Sequence, residues 1–121
     1  MKLRIRLRGV SREVDGRAWE GVEMLRIGRR QHWEIELRDT SISRCHAELT
    51  HVDEQGWVVR DLGSTNGTYL NGVRVGTEAR KLRERDLLQV ANLVLRVASI
   101  DQAEIPTLEN YCETMQVEAV T

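Results

Sequence analysis

The sequence has no phenylalanine, a single proline (Pro106) and only two cysteines, Cys45 and Cys112, among its 121 residues. Without Phe, most core volume has to come from Leu, Val and Ile. The cysteines lie far apart and fit no paired metal spacing, which leaves a disulfide framework or a zinc ribbon without support. Reduced thiols in a cytoplasm, with no metal and no cofactor, are the expectation. No apolar run is long enough for a signal peptide or a membrane span, and Met1 to Arg6 is charged at every second position. Neither export nor a membrane partner is expected. The first 100 residues also lack any amphipathic helical stripe sustained over three turns, which argues against a helical bundle.

What is present suits one small domain, since domains usually run to roughly 100 to 150 residues. Charge is nearly balanced at −1, but unevenly placed. Residues 101 to 121 hold five carboxylates and no Lys or Arg, while residues 1 to 100 hold 18 basic against 14 acidic side chains. The expected organisation is therefore a basic body, residues 1–100, followed by an acidic tail, residues 101–121, either flexible or docked.

Through the body, apolar residues recur with a period of two. Leu3, Ile5 and Leu7 alternate with Arg4, Arg6 and Arg8, the pattern of a half-buried strand. Similar short runs are expected at Met24 to Ile27, Glu34 to Leu37, Ala47 to Val52, Trp57 to Leu62, Thr68 to Leu70, Val73 to Val75, Leu87 to Val90 and Leu93 to Val97. Asn71-Gly72 is the strongest turn signal, because a two-residue type I′ turn needs positive φ at both positions. Many short strands with regular punctuation imply an all-β sandwich.

Four clusters fall between the expected strands, where a rigid sandwich displays its binding residues. They are Gly28-Arg29, Ser43-Arg44-Cys45-His46, the run Asp61 to Thr68, and Asn71-Gly72. Together they supply a guanidinium fork, hydroxyls, a side-chain amide and glycine-permitted turns. A phosphorylated side chain presents about −1.5 to −2 charge and three acceptor oxygens, which such donors match. Arg29, Ser43 and Thr65 are the candidate phosphate donors. Asn66, with both an acceptor and N–H donors, suits the main chain of a bound peptide.

In this order and at these separations, Gly-Arg, Ser-x-x-His, Gly-Ser-Thr-Asn-Gly-Thr and Asn-Gly resemble the forkhead-associated (FHA) domain family. The motifs span Gly28 to Gly72, and the strand pattern extends the likeness to about residues 2 to 98. The resemblance implies an eleven-stranded β-sandwich of the FHA/SMAD-like type whose apical loops bind phosphothreonine peptides. It implies Arg29 and Ser43 as main phosphate contacts, Thr65 as a supporting one, Arg44 as a second positive charge and Asn66 as the peptide-backbone clamp. Gly28, His46, Gly67 and Asn71 become structural support. The implied partner is a phosphothreonine-containing protein, a Ser/Thr kinase or one of its substrates. Two departures from the family pattern put local turn geometry in question: Arg85-Asp86 stands in place of Gly-Asp, and Ala91 in place of Gly.

Other readings of the same residues are weaker. A triad of Ser43, His46 and Asp61 lacks a nucleophile elbow, so no enzyme is expected. Gly63 to Gly67 lacks the Gly-Lys-Ser/Thr ending of a nucleotide loop. The arginines of the first strand have no interleaved aromatics for base stacking, so nucleic acid is not an expected partner. A phosphorylation-independent assembly module remains the alternative. In the tail, Thr114 has Val117 three positions on, an aliphatic residue of the kind similar domains often select there. Thr114, and less strongly Thr107, are thus candidate phosphosites through which the tail would regulate its own domain.

Overall fold

The computed structural model describes residues 2–102. Thr107, Thr114 and the rest of the expected tail beyond Gln102 lie outside the described residues. Eleven strands and one 3₁₀ turn follow in order: β1 (Leu3–Gly9), the turn Arg12–Val14, β2 (Ala18–Gly21), β3 (Met24–Gly28), β4 (Ile35–Glu36), β5 (Ala47–Val52), β6 (Gly56–Asp61), β7 (Thr68–Leu70), β8 (Val73–Val75), β9 (Arg80–Lys81), β10 (Leu87–Val90) and β11 (Leu93–Gln102). They form a six-stranded sheet, β2-β1-β11-β10-β7-β8, and a five-stranded sheet, β4-β3-β5-β6-β9. All pairings are antiparallel except β3 with β4.

Period-two patterning places the core between the sheets. Ile5 and Leu7 of β1 are fully buried while Arg6 and Arg8 stay exposed, and Leu25, Ile27, Leu49 and Val59 answer them from the other sheet. Leu, Ile and Val supply most of this core, as the missing Phe requires. Trp57 is its largest member, 1% exposed, and its indole N–H donates to the Leu3 carbonyl at 2.8 Å. That bond ties β6 of one sheet to β1 of the other. Trp33 and Trp19 are half-buried, Trp19 against the edge of the core, and each lies under a guanidinium group, Arg26 at 5.4 Å and Arg17 at 4.9 Å from the ring centroids.

The all-β reading and most strand positions hold, with differences at the margins. Strands β2 and β9 were not expected, β4 is shorter than Glu34 to Leu37, and β6 ends at Asp61 instead of Leu62. Strand β11 runs through Asp101 and Gln102, two residues past the expected boundary, because both pair with the start of β1. Asn71 and Gly72 both take positive φ, 50° and 84°, as their hairpin demands. Asn71 also accepts from the Leu87 N–H and donates to Asp86, each at 2.9 Å, which fastens this hairpin to β10.

Arg85 and Ala91, the two departures from the family pattern, keep the turn geometry by taking positive φ themselves, 74° and 53°. Each such conformation costs an L-residue on the order of 1 kcal/mol. We expect Trp57→Phe to destabilise the domain by about 2 kcal/mol, through the lost ring volume and the orphaned Leu3 carbonyl. A urea unfolding curve with unchanged slope and a lower midpoint is the measurement.

Candidate functional site

Loops β3–β4, β4–β5 and β6–β7 meet at one end of the sandwich. Gly28 ends β3 against the backbone of the second loop so closely that a Cβ there would sit 2.0 Å from the Arg44 carbonyl oxygen. Only glycine permits that approach. The two loops are then laced by backbone bonds, Arg29 N–H to the Ser43 carbonyl at 3.1 Å and Arg30 N–H to the Arg44 carbonyl at 3.3 Å. The Arg29 Nε donates to the Ile42 carbonyl, which fixes the guanidinium plane and leaves its terminal amino groups without a bond among the described residues.

His46 ties its own β4–β5 loop to strand β3 and to the β6–β7 loop from a fully buried position. Its Nδ1 accepts from the Ser43 N–H at 3.0 Å, so Nε2 carries the proton and donates to the Gly67 carbonyl at 2.9 Å. Its own backbone donates to Ile27 and accepts from Leu62, each at 2.9 Å. Burial lowers the imidazole pKa below 6.5, against the opposing pull of the Gly67 carbonyl and the Asp61 charge. Geometry agrees, since a second ring proton would face the Ser43 N–H donor.

The β6–β7 loop is wound around the Asp61 carboxylate. It accepts from the Gly63 and Ser64 N–H groups at 2.9 and 2.8 Å, from the Ser64 hydroxyl at 2.5 Å and from the Thr68 hydroxyl at 2.7 Å. Burial would raise its pKa, but these bonds outweigh it and hold the group below 3.8. The Ser64 hydroxyl in turn accepts from Gly67 N–H at 3.0 Å. Among the described residues no buried side-chain polar atom lacks a partner. With its interior satisfied, the loop presents Thr65 and Asn66 outward, both exposed.

Ser43 and Thr65 are brought together directly, because the Ser43 hydroxyl accepts from the Thr65 N–H at 3.1 Å and keeps its own proton to donate. Asn66 donates to the Ser41 carbonyl at 2.8 Å, which braces the neighbouring loop and leaves its Oδ1 and second N–H for other partners. Arg29 and Arg44 are exposed and, among the described residues, make no salt bridge. The supporting residues Gly28, His46 and Gly67 all lie within this network, whereas Asn71 acts away from it, at the β7–β8 hairpin.

Three contributors were not visible as such in the sequence. Asp61 was weighed only as a triad member, yet it organises the loop that carries Thr65 and Asn66. Asp39 holds the start of the β4–β5 loop, accepting from the Ser41 hydroxyl at 2.6 Å and the Ser41 N–H at 2.9 Å. Arg30 adds an exposed guanidinium beside Cys45. The Asp-x-Gly-Ser spacing, a carboxylate two and three residues before N–H donors, was the available signal for Asp61.

A satisfied scaffold that holds arginine, hydroxyl and amide groups on adjacent loops defines a ligand-binding sandwich module. The FHA-domain family model matches residues 25–91, more than half of the chain, and the chain belongs to that family. FHA domains are binding modules. The chain is 44% identical over 54 residues to the FHA domain-containing protein FhaB of Mycobacterium tuberculosis, covering 45% of this chain and 34% of that protein. It therefore spans about a third of the length of that relative. A structure of the FhaA FHA domain complexed with the intracellular domain of Rv3910 superposes with a TM-score of 0.66 at 31% identity, covering 77% of this chain and 98% of the other. A structure from a study of phosphothreonine-dependent FHA domain interactions superposes with a TM-score of 0.67 at 26% identity, covering 87% and 100%.

Because the unfolded chain takes up a proton near pH 6.5 that folded His46 refuses, its contribution to stability is full above that pH. It is lost as pH falls toward the depressed folded value. Asp61 has the same sign in a lower window, its contribution being lost as pH falls below about 3.8. Denaturant titrations at pH 7.5 and 5.5 should therefore show a loss in the parent that His46→Asn does not share.

Proposed function

We propose that this domain binds phosphothreonine-containing segments of proteins and thereby recruits partners marked by a Ser/Thr kinase. The observation that carries this reading is the meeting of Arg29, Ser43 and Thr65 on three laced loops, with donor groups left over on each. In this reading the Arg29 terminal amino groups and the Ser43 hydroxyl hold phosphate oxygens. The Thr65 side chain adds a further donor and Arg44 a second positive charge. Asn66 clamps the main chain of the bound peptide, and its existing bond to Ser41 pre-orders it. The similarity to FHA domains in structures of phosphothreonine-dependent interactions supports the choice of ligand.

A hydrolase reading gains nothing from the geometry. The His46 ring bonds the Ser43 backbone N–H and not its hydroxyl, and the Asp61 oxygens are committed to Ser64, Thr68 and Gly63. Our reading places the recruitment in the cytoplasm, beside the kinase and its substrates, with no nucleic acid, membrane or cofactor required. Phosphorylation of Thr114 or Thr107 would let the acidic tail compete for the same loops. Unchanged affinity for an external phosphopeptide after kinase treatment would remove that regulation.

Arg29→Ala should abolish binding of a phosphothreonine peptide in calorimetry and leave the thermal midpoint nearly unchanged, since Arg29 is an exposed loop residue. Retained affinity in that variant, or equal affinity for the unphosphorylated peptide, would overturn the reading.

A further inference from the structure

The outer face of the six-stranded sheet carries a stripe of arginines that is only half neutralised. Arg4 and Arg6 of β1 meet Glu20 at 3.8 and 3.2 Å, and Arg6 also meets Asp101 at 3.5 Å. Further along the same strand, Arg8 stands directly opposite Arg96 of β11. Like charges in that arrangement repel and destabilise a sheet. Among the described residues neither makes a salt bridge, and both are exposed.

Arg85 is the third member. It holds φ 74°, a conformation glycine would adopt without strain, and lines one open cleft with Arg8 and Arg96. The cleft measures about 660 Å³ and contains a single carboxylate, Asp15. An opposed cationic pair and a strained arginine therefore sit together where a neutral, relaxed surface would be more stable. Val10, 47% exposed, adds an apolar contact at the rim.

We propose that this cleft is a second binding surface, which takes an acidic peptide segment of a protein partner. Three cations against one anion favour a polyanion, and the apolar rim suits the aliphatic stems of Glu side chains. No aromatic ring lines the cleft for base stacking, and the nearby Trp19 ring is covered by Arg17. Because Arg96 lies three residues into β11, roughly 10 Å from its start, the surface is on the flank of the sandwich and not among the apical loops. It works whether or not those loops are occupied.

The probe is an unphosphorylated ten-residue glutamate peptide, titrated against the full chain carrying Arg29→Ala, which silences the apical loops. Amide shifts in the nuclear magnetic resonance spectrum should cluster at Arg8, Arg85 and Arg96, and affinity should fall steeply with added salt. Adding Arg96→Glu should weaken the peptide at least tenfold while the thermal midpoint stays level or rises, because the new carboxylate faces Arg8. In the chain with Arg29 intact, Arg96→Glu should leave phosphopeptide affinity within twofold. That separates this surface from the apical site, whose failure would show only in the phosphopeptide arm. Arg8→Gln serves as the second variant and should weaken the peptide in the same way. Peptide affinity unchanged from the Arg29→Ala chain in both variants overturns the proposal, as does tighter binding of a twelve-base-pair DNA duplex or of phosphatidylserine vesicles through the same arginines. It is equally overturned if the peptide binds only after Glu104, Glu109, Glu113 and Glu118 are replaced by Gln, because the chain's own acidic residues would then be the occupant.

Discussion

Everything at the apex of this sandwich depends on one imidazole held neutral. His46 receives one N–H and gives another, and from beneath the surface those two bonds join the same loops that Thr65 and Asn66 link from above. A lysine or arginine could donate to the Gly67 carbonyl but could not accept from Ser43; an acidic side chain could accept but not donate. Neutral imidazole does both at opposite edges of a rigid ring, and full burial keeps it in that state. The spacing between the Ser43 and Thr65 loops, and therefore the span available to a ligand, is held by that ring below and by the Thr65–Ser43 and Asn66–Ser41 bonds above.

Charge is sorted around this joint by depth. The carboxylate that must be buried, Asp61, spends its lone pairs inside its own loop and offers none to a ligand. The cations that can meet an anion, Arg29, Arg30 and Arg44, are left on the surface. An anion arriving at the rim thus finds donors in front and the buried Asp61 charge already shielded by hydrogen bonds. Orientation is prepared before binding, since the Ile42 carbonyl holds Arg29 at Nε and Thr65 N–H holds the Ser43 oxygen. Little rotamer freedom remains to be lost, which favours tight and selective recognition.

Much of this was legible in the chain because the informative residues are those with few conformational substitutes. Asn71-Gly72 announced a hairpin, and the alternation in β1 a sheet with one wet face. What escaped has a physical explanation in each case. Strand β9 is two exposed residues long and carries no periodic signal. Strand β2 presents only half-buried or exposed side chains at the sheet edge, so its alternation is faint. Asp61 exerts its effect through backbone N–H groups, which are common to every sequence. Opposition of Arg8 and Arg96 follows from strand pairing across most of the chain and from the register shift between Arg6 and Leu7, neither of which is written in a local pattern.

The same pairing has a consequence in time. Strand β1 begins at Leu3 and is hydrogen-bonded in seven register pairs to β11, which ends at Gln102. Its main neighbour in the sheet is therefore the last of the described strands to leave a ribosome. Until then the alternating Leu, Ile and Arg of β1 have only β2 to pair with, and the central seam of the six-stranded sheet is open. Closure of a contact this distant in sequence is slow compared with local hairpins. Until that contact forms, the chain carries an unpaired, half-apolar edge of the kind that makes folding intermediates prone to aggregation.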